Sequence, residues 1–174
     1  MAATFKQIAT TLVGSGGSAT ITFSDIPQTY NDLVLLFSGR TTYNTDTNDQ
    51  IRIYLNNNTS NYSHKILVGT GTGTDGDGTQ TTATGINSQT ETGAMTANIF
   101  SNDYIYIPNY TSTTRNKSVL HDHTTENQSS LSYYGLGSTT WINTSAVTSI
   151  SIQTFRGTNW VQNTRATLFG ISNS

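Results

Sequence analysis

The sequence predicts an all-β protein: one domain over residues 1–174, built as a single antiparallel β-sandwich of the jelly-roll kind with one long Gly/Thr-rich loop. Three observations carry that prediction. Apolar residues recur at every second position in short runs, such as Ile51-Arg52-Ile53-Tyr54-Leu55 and Tyr104-Ile105-Tyr106-Ile107, and period two marks a half-buried strand. Turn-forming Gly, Asn, Ser and Pro interrupt these runs at intervals of roughly ten residues, the rhythm of a sandwich or barrel. Thr supplies many of the polar positions while helix formers are sparse, and Thr favours strands.

Taken in order, Phe5 to Val13 reads as a first strand closed by a Gly14–Gly17 turn, and Thr20 to Phe23 as a second with Ile21 and Phe23 inward. Ser24-Asp25-Ile26-Pro27 breaks the pattern. Leu33 to Phe37 then forms the longest unbroken apolar run. Five residues are too few for a solitary helix, so this is a strand with both faces covered, Leu33, Leu35 and Phe37 on one and Val34 and Leu36 on the other. Nothing in the sequence clearly covers Val34 and Leu36. Either the Gly/Thr-rich loop folds over them or a second subunit does.

Ile51 to Leu55 and Tyr62 to Val68 are the next strands. Gly69 to Gly93 is polar, with Ile86 its only sizeable apolar residue, and reads as the long loop; loops of that length are usually functional or ordered by a neighbour. Short extended stretches follow at Ala97–Phe100, Asp103–Ile107, Lys117–His123, Ser130–Tyr134, Val147–Phe155 and Ala166–Ile171. Pro108 ends the strand before it, having no N–H for a ladder. Arg156 to Asn159 reads as a hairpin turn.

Composition narrows the function. Charged residues make up only 10% of the chain and net charge is −2, with nine Tyr, six Phe and two Trp. That aromatic content speaks for folding rather than disorder. A pI near 5.8 offers no basic patch for phosphate, so nucleic acid is not an expected partner. Cysteine is absent, which removes disulfides and thiolate metal sites and favours synthesis in a reducing cytosol. The N-terminal residues carry no apolar core of signal-peptide length, and no stretch approaches a membrane span, so no membrane is expected.

Catalytic and metal motifs are weak. His121-Asp122-His123 places two imidazoles on one strand face, where His64 or Glu126 could complete a metal site; against that, carboxylates are scarce and no thiolate exists, so a solvent-facing or interface pair is the expectation. Asp75-Gly76-Asp77-Gly78 echoes a calcium loop but lacks the distal bidentate Glu. Glu91 and Glu126, the only glutamates, show no glycosidase setting, and no nucleophile-elbow motif occurs. No enzyme activity and no cofactor are expected. The outward aromatics expected at Tyr54, Tyr104, Tyr106, Tyr133, Tyr134, Trp141 and Trp160 suit either stacking on sugar rings or a protein interface, where Tyr and Trp are enriched.

Several phrases carry a resemblance: Ser18 to Arg40, Ile51 to Leu55 followed by Ser60-Asn61-Tyr62-Ser63, Asp103 to Tyr110 with Asn116-Lys117-Ser118, and Ala166-Thr167-Leu168-Phe169-Gly170-Ile171. Together they resemble small β-sandwich virion proteins of tailed bacteriophages, those of aquatic and cyanobacterial hosts in particular. The likeness implies a non-enzymatic structural role, first as a capsid decoration (cement) protein that binds the outer shell and stabilises contacts between capsid subunits. Its implied partners are the major capsid protein and itself, as homodimer or homotrimer, at the capsid surface of the virion after synthesis in the host cytoplasm. A tail-fibre, receptor-binding or carbohydrate-binding module that contacts a host-surface glycan is the alternative. The contacts expected for either role are Val34, Leu36, Tyr54, Tyr104, Tyr106, Trp141 and Trp160.

Overall fold

The described residues form twelve strands in two antiparallel sheets. The computed structural model describes residues 4–70, 74–126 and 132–172. The strands are β1 (Thr4–Leu12), β2 (Thr20–Phe23), β3 (Asp32–Ser38), β4 (Asp49–Leu55), β5 (Tyr62–Gly69) and β6 (Thr74–Ala83). They continue as β7 (Ile86–Thr90), β8 (Asn102–Ile107), β9 (Lys117–Glu126), β10 (Ser132–Trp141), β11 (Ile150–Thr154) and β12 (Arg165–Ser172). The large sheet has eight strands in the order β1-β12-β3-β8-β9-β10-β5-β6, and the small sheet four in the order β2-β11-β4-β7. Both sheets are open, so this is a sandwich-like fold rather than a closed barrel.

The core lies between the sheets and consists of the residues that alternation turns inward. Ile21, Phe23, Ile51, Ile53, Leu55, Ile105, Ile107, Ile150 and Ile152 are all buried there, beside Leu33, Leu35 and Phe37 of β3. Full burial of such side chains stabilises by roughly 1.5–3 kcal/mol each. On the outer face of β3, Val34 is also fully buried, with Phe169 of β12 and Tyr106 of β8 as its cross-strand neighbours. Val34 is therefore covered within one chain. Leu36, one pleat further on, is 39% exposed.

The stretch expected to be a loop from Gly69 to Gly93 contains two strands. β6 pairs with β5, and β7 pairs with β4. Its low hydrophobicity misleads because β7 satisfies its polar groups rather than exposing them. Thr90 Oγ1 donates to Gly39 O at 2.9 Å, and Ser88 donates to the Asp103 carboxylate. Ala97–Phe100 is not a strand. Arg156–Asn159 joins strands of different sheets, so it is not a hairpin turn. The Asp49 carboxylate holds that bend by accepting the N–H groups of Arg156 and Gly157 at 3.0 and 2.9 Å. The strand expected from Ser130 starts at Ser132 and runs on to Trp141, with Ser130 and Leu131 outside the described residues.

Residues 95–99 are held by Arg40. Its buried guanidinium donates to the carbonyls of Met95 (2.7 Å), Thr96 (2.7 Å) and Ile99 (3.1 Å), and the negative charge of Glu91 lies nearby. A planar fork can serve three carbonyls at once; an ammonium on a flexible stem cannot hold the same geometry. Arg40→Lys is expected to lower stability by about 1–2 kcal/mol, read from urea unfolding, and to open the amides of residues 95–99 to hydrogen exchange.

Candidate functional site

Three neighbouring strands of the large sheet carry their side chains the unexpected way round. On β5, β9 and β10 the inward positions include His64, His121, His123, Thr125 and Thr139, all buried. The outward positions include Leu67, Leu120 and Leu136, which are 54%, 57% and 49% exposed. A half-turned strand would exchange the two sets, since side chains alternate from face to face. Buried polar groups and exposed apolar clusters are the informative exceptions to ordinary burial. Here both exceptions occupy the same three strands.

The register aligns the outward residues into two rows that cross five strands, β3-β8-β9-β10-β5. One row is Leu36–Tyr104–Asp122–Leu136–Leu67 and the other Val34–Tyr106–Leu120–Ser138–Lys65. Between them lies an open groove of about 700 Å³, whose lining includes Leu67, Tyr104, Leu120 and Leu136. Lys65 and Asp122, one of each sign, are the charged residues of that lining. Leu67, Leu120 and Leu136 each leave about half their surface in water, so a partner covering them would gain roughly 1 kcal/mol apiece.

The inner face explains why the histidines can turn inward. His121 pairs across the ladder with Gly137, and His123 with Gly135. A methyl group built on Gly137 would sit 2.1 Å from Cε1 of His121, and one on Gly135 would sit 2.1 Å from Cε1 of His123. The two rings therefore occupy the space that β10 leaves empty by having no Cβ. Glycine inside a strand marks such a close approach.

Burial keeps these imidazoles neutral. Loss of water is the main cause that pushes His121 down to about 3, with smaller contributions from His123 and His64; the same loss pushes His123 down to about 4. His64 is lowered too, by burial first and then by the Arg52 charge. Beside them the Asp103 carboxyl is raised well above its ordinary value by burial, against the pull of hydroxyl donors on Ser88 and Ser101.

This inner layer offers little to a substrate. Thr139 Oγ1 lies 3.4 Å from Nε2 of His121, a separation that would suit a hydroxyl and its base, but both residues are sealed from solvent. Among the described residues no group of three or more His, Cys, Asp or Glu side chains is placed to hold a metal ion. The side chains of Asp75, Asp77 and Glu126, named above as candidate ligands, lie outside those described.

The structure gathers some of the expected contact residues and scatters others. Leu36, Tyr104 and Tyr106 share the outer face of the large sheet, with Val34 buried beneath them. Tyr106 is half-buried and donates its hydroxyl to Asp32 at 2.8 Å. Tyr54 lies on the small sheet, where its ring covers Gly85, so it is remote from that groove. Trp141 and Trp160 are core residues rather than surface ones. Trp141 ends β10 on its inward side, with its ring stacked 6.1 Å from Tyr62. Trp160 donates its indole N–H to Ile152 O at 3.2 Å and meets Phe37 edge to face at 4.9 Å.

The sequence reading missed Leu67, Leu120 and Leu136, and with them Lys65 and Asp122. Period two gives a strand its alternation but not its facing, and the usual rule would bury the leucines. One signal was present. Gly135-Leu136-Gly137 puts two glycines on one face of a strand and a leucine on the other, which calls for large partners opposite the glycines and leaves the leucine outside.

No family's sequence model matches the chain, and no curated protein matches it significantly. Among solved structures, alginate lyase vAL-1 from a Chlorella virus is 8% identical, with 94% of this chain and 83% of that one covered, at a TM-score of 0.33. A protein of unknown function, SO2946 from Shewanella oneidensis MR-1, is 9% identical, with coverages of 98% and 77% and a TM-score of 0.26. Likenesses that distant carry no argument about what this chain does.

Proposed function

We propose that this chain is a non-enzymatic structural protein of a phage virion, a capsid decoration protein that works by association through the outer face of its large sheet. The single observation behind this reading is the pair of residue rows from Leu36 to Leu67 and from Val34 to Lys65, held outward while histidines fill the inside. Leaving leucines in water has a cost that a partner surface recovers. The resemblance of the strand-and-turn phrases to phage virion proteins supports the same role.

Strand order supports a jelly-roll description of the sandwich. The set β1-β12-β3-β8 facing β2-β11-β4-β7 follows jelly-roll order if the hairpins β5–β6 and β9–β10 are taken as additions to the large sheet. The groove belongs in good part to those additions. Two inserted hairpins thus supply a surface that the basic sandwich would not have.

The groove favours protein over glycan. Pyranose rings need flat aromatic faces, and among the described residues that line the groove Tyr104 is the one Phe, Tyr or Trp, whereas three are leucines. Capsid shells that lack the protein should gain resistance to heat or pressure when the purified protein is added. Leu136→Lys places a charge in the groove opposite Asp122 of β9 without touching the core, so it should keep the wild-type unfolding curve while abolishing that protection. Shells left unprotected by the wild-type protein would contradict the reading. Saturable binding to a glycan array that falls with Tyr104→Ala would favour the host-surface alternative.

A further inference from the structure

We infer that the seam between β7 and the large sheet is an acid-released clasp: protonation of His121 and His123 parts β7 from β8, β9 and β10 while the rest of the sandwich stays closed. The seam differs from the remaining interior in what crosses it. Strands β2, β4 and β11 meet the large sheet through Ile21, Phe23, Ile53, Leu55, Ile150 and Ile152. β7 adds Ile86 to that core, but its other inward residues, Ser88 and Thr90, cross by hydrogen bonds. Ser88 donates to Asp103 of β8, and Thr90 Oγ1 donates to Gly39 O at 2.9 Å. Ser101 Oγ lies 3.1 Å from both Thr90 Oγ1 and the Asp103 carboxylate. As an end strand of its sheet, β7 is paired with β4 alone.

The histidines line the large-sheet side of this seam. His123 is the ladder neighbour of Asp103 and Gly135, and His121 of Ile105 and Gly137. A neutral imidazole carries one N–H and one lone pair. Among the described residues neither ring nitrogen of His123 finds a hydrogen-bond partner, and neither does Nδ1 of His121. Protonation would bury a charge and a further N–H with no acceptor to receive it. The groups around the rings do not supply one. Asp103 on β8 takes the hydroxyls of Ser88 and Ser101, and burial raises its carboxyl well above its ordinary value. β5 brings His64, on which the Arg52 charge of β4 bears, and Tyr62, whose hydroxyl accepts the Leu55 N–H. The inward residues of β10 and β7 near the rings are uncharged. On β9 itself, Lys117 donates to the carbonyls of Ser112, Arg115 and Thr144, and Asp122 lines the outer groove. Glu91, just beyond β7, lies against the Arg40 charge. Parting one short edge strand gives both rings to water while exposing far less apolar surface than separating the sheets.

Exposed imidazoles titrate near 6.5, and burial holds these two near 3 and 4. Each ring that opening exposes therefore raises the opening constant roughly 40-fold between pH 6.5 and 4.5. Asp103, which ionises on opening, offsets at most about 100-fold, so the net rise is at least about tenfold. Global unfolding releases the same groups, so the test must separate the two openings. Hydrogen exchange does so, with protection corrected for the intrinsic rate at each pH. From pH 6.5 to 4.5 the ladder amides of residues 86–90 should lose at least about tenfold in protection. At pH 4.5 they should be at least about tenfold less protected than those of β2 and β11. They should also respond little to urea below the unfolding transition, since a local opening exposes little surface. His123→Gln removes one titrating ring and should abolish the acid response at 86–90. Equal protection in β7, β2 and β11 at pH 4.5 overturns the inference, as does exchange at 86–90 that follows the global urea slope. Protection at 86–90 unchanged by acid, or a full response kept in His123→Gln, overturns it as well.

Discussion

Gly137→Val is expected to destabilise the protein by at least about 3 kcal/mol, at the upper end of what overpacking a core normally costs. The reason lies in the inward histidine layer. Even the first carbon of the new side chain would meet the His121 ring at 2.1 Å, far inside contact distance. His121 has no room to withdraw, because it is buried among neighbours that include His64 and His123. Urea unfolding measures the loss. The cause is separable from a general intolerance of strand β10 by a double-mutant cycle: His121→Ala vacates the space a methyl at Gly137 would need. Gly137→Ala and His121→Ala together should cost less than their sum. Additive losses would mean that ring and glycine are not coupled.

Acid should unfold the protein well above the pH at which carboxylates alone would do so. His121 and His123 are held near 3 and 4 in the folded chain and return to about 6.5 when unfolded. Between those limits the unfolded chain binds more protons, so stability is fully present above pH 6.5 and is lost as pH falls below it. Each histidine contributes about 1.4 kcal/mol of loss per pH unit. From pH 6.5 to 5 the two together remove roughly 4 kcal/mol. Asp103 works the other way, because its folded value is raised and the folded chain binds its proton first. That offsets the loss of one histidine below the folded value of Asp103, leaving a net loss of about 2–4 kcal/mol at pH 5. His64, also lowered, adds to the loss. Urea midpoints measured from pH 7.5 to 5 should fall accordingly, and His123→Gln should flatten the slope. A flat profile in the wild-type protein would mean that the imidazoles are not buried neutral.

The two predictions share an origin that the sequence showed only in part. Strands β2, β4, β8 and β11 were legible because isoleucine, leucine and phenylalanine alternate with polar residues and the apolar side can only be the inner one, and β3 because it is an unbroken apolar run too short for a helix. The second face of β3 was legible as apolar, and the structure splits it: Val34 is covered by its own sheet while Leu36 stays partly exposed. Strands β6 and β7 were not legible, since Thr, Gly, Asn and Ser give no hydrophobic period and their pairing comes from β5 and β4. The facing of β9 and β10 was hidden for a different reason. Val119-Leu120-His121-Asp122-His123 alternates well enough to mark a strand, yet nothing local says that imidazoles rather than leucines point inward. That choice is made across the ladder, by Gly135 and Gly137. Trp141 and Trp160 went astray similarly: one follows the unrecognised length of β10, and the other sits in a connection whose path depends on both sheets.

The groove is thus the outward consequence of an inward choice. Glycines admit histidines, histidines fix the facing, and the facing delivers three leucines to the surface, where β8 and β3 add Tyr104 and Leu36. The proposed role requires that surface to be covered when the protein is at work. Electron cryomicroscopy of intact particles that carry the protein gives the most direct answer. The account predicts the sandwich on the outer shell, with the face bearing Leu36, Tyr104, Leu120, Leu136 and Leu67 turned against another protein surface. Particles that show the protein at a tail tip, or on the shell with that face open to solvent, would contradict it.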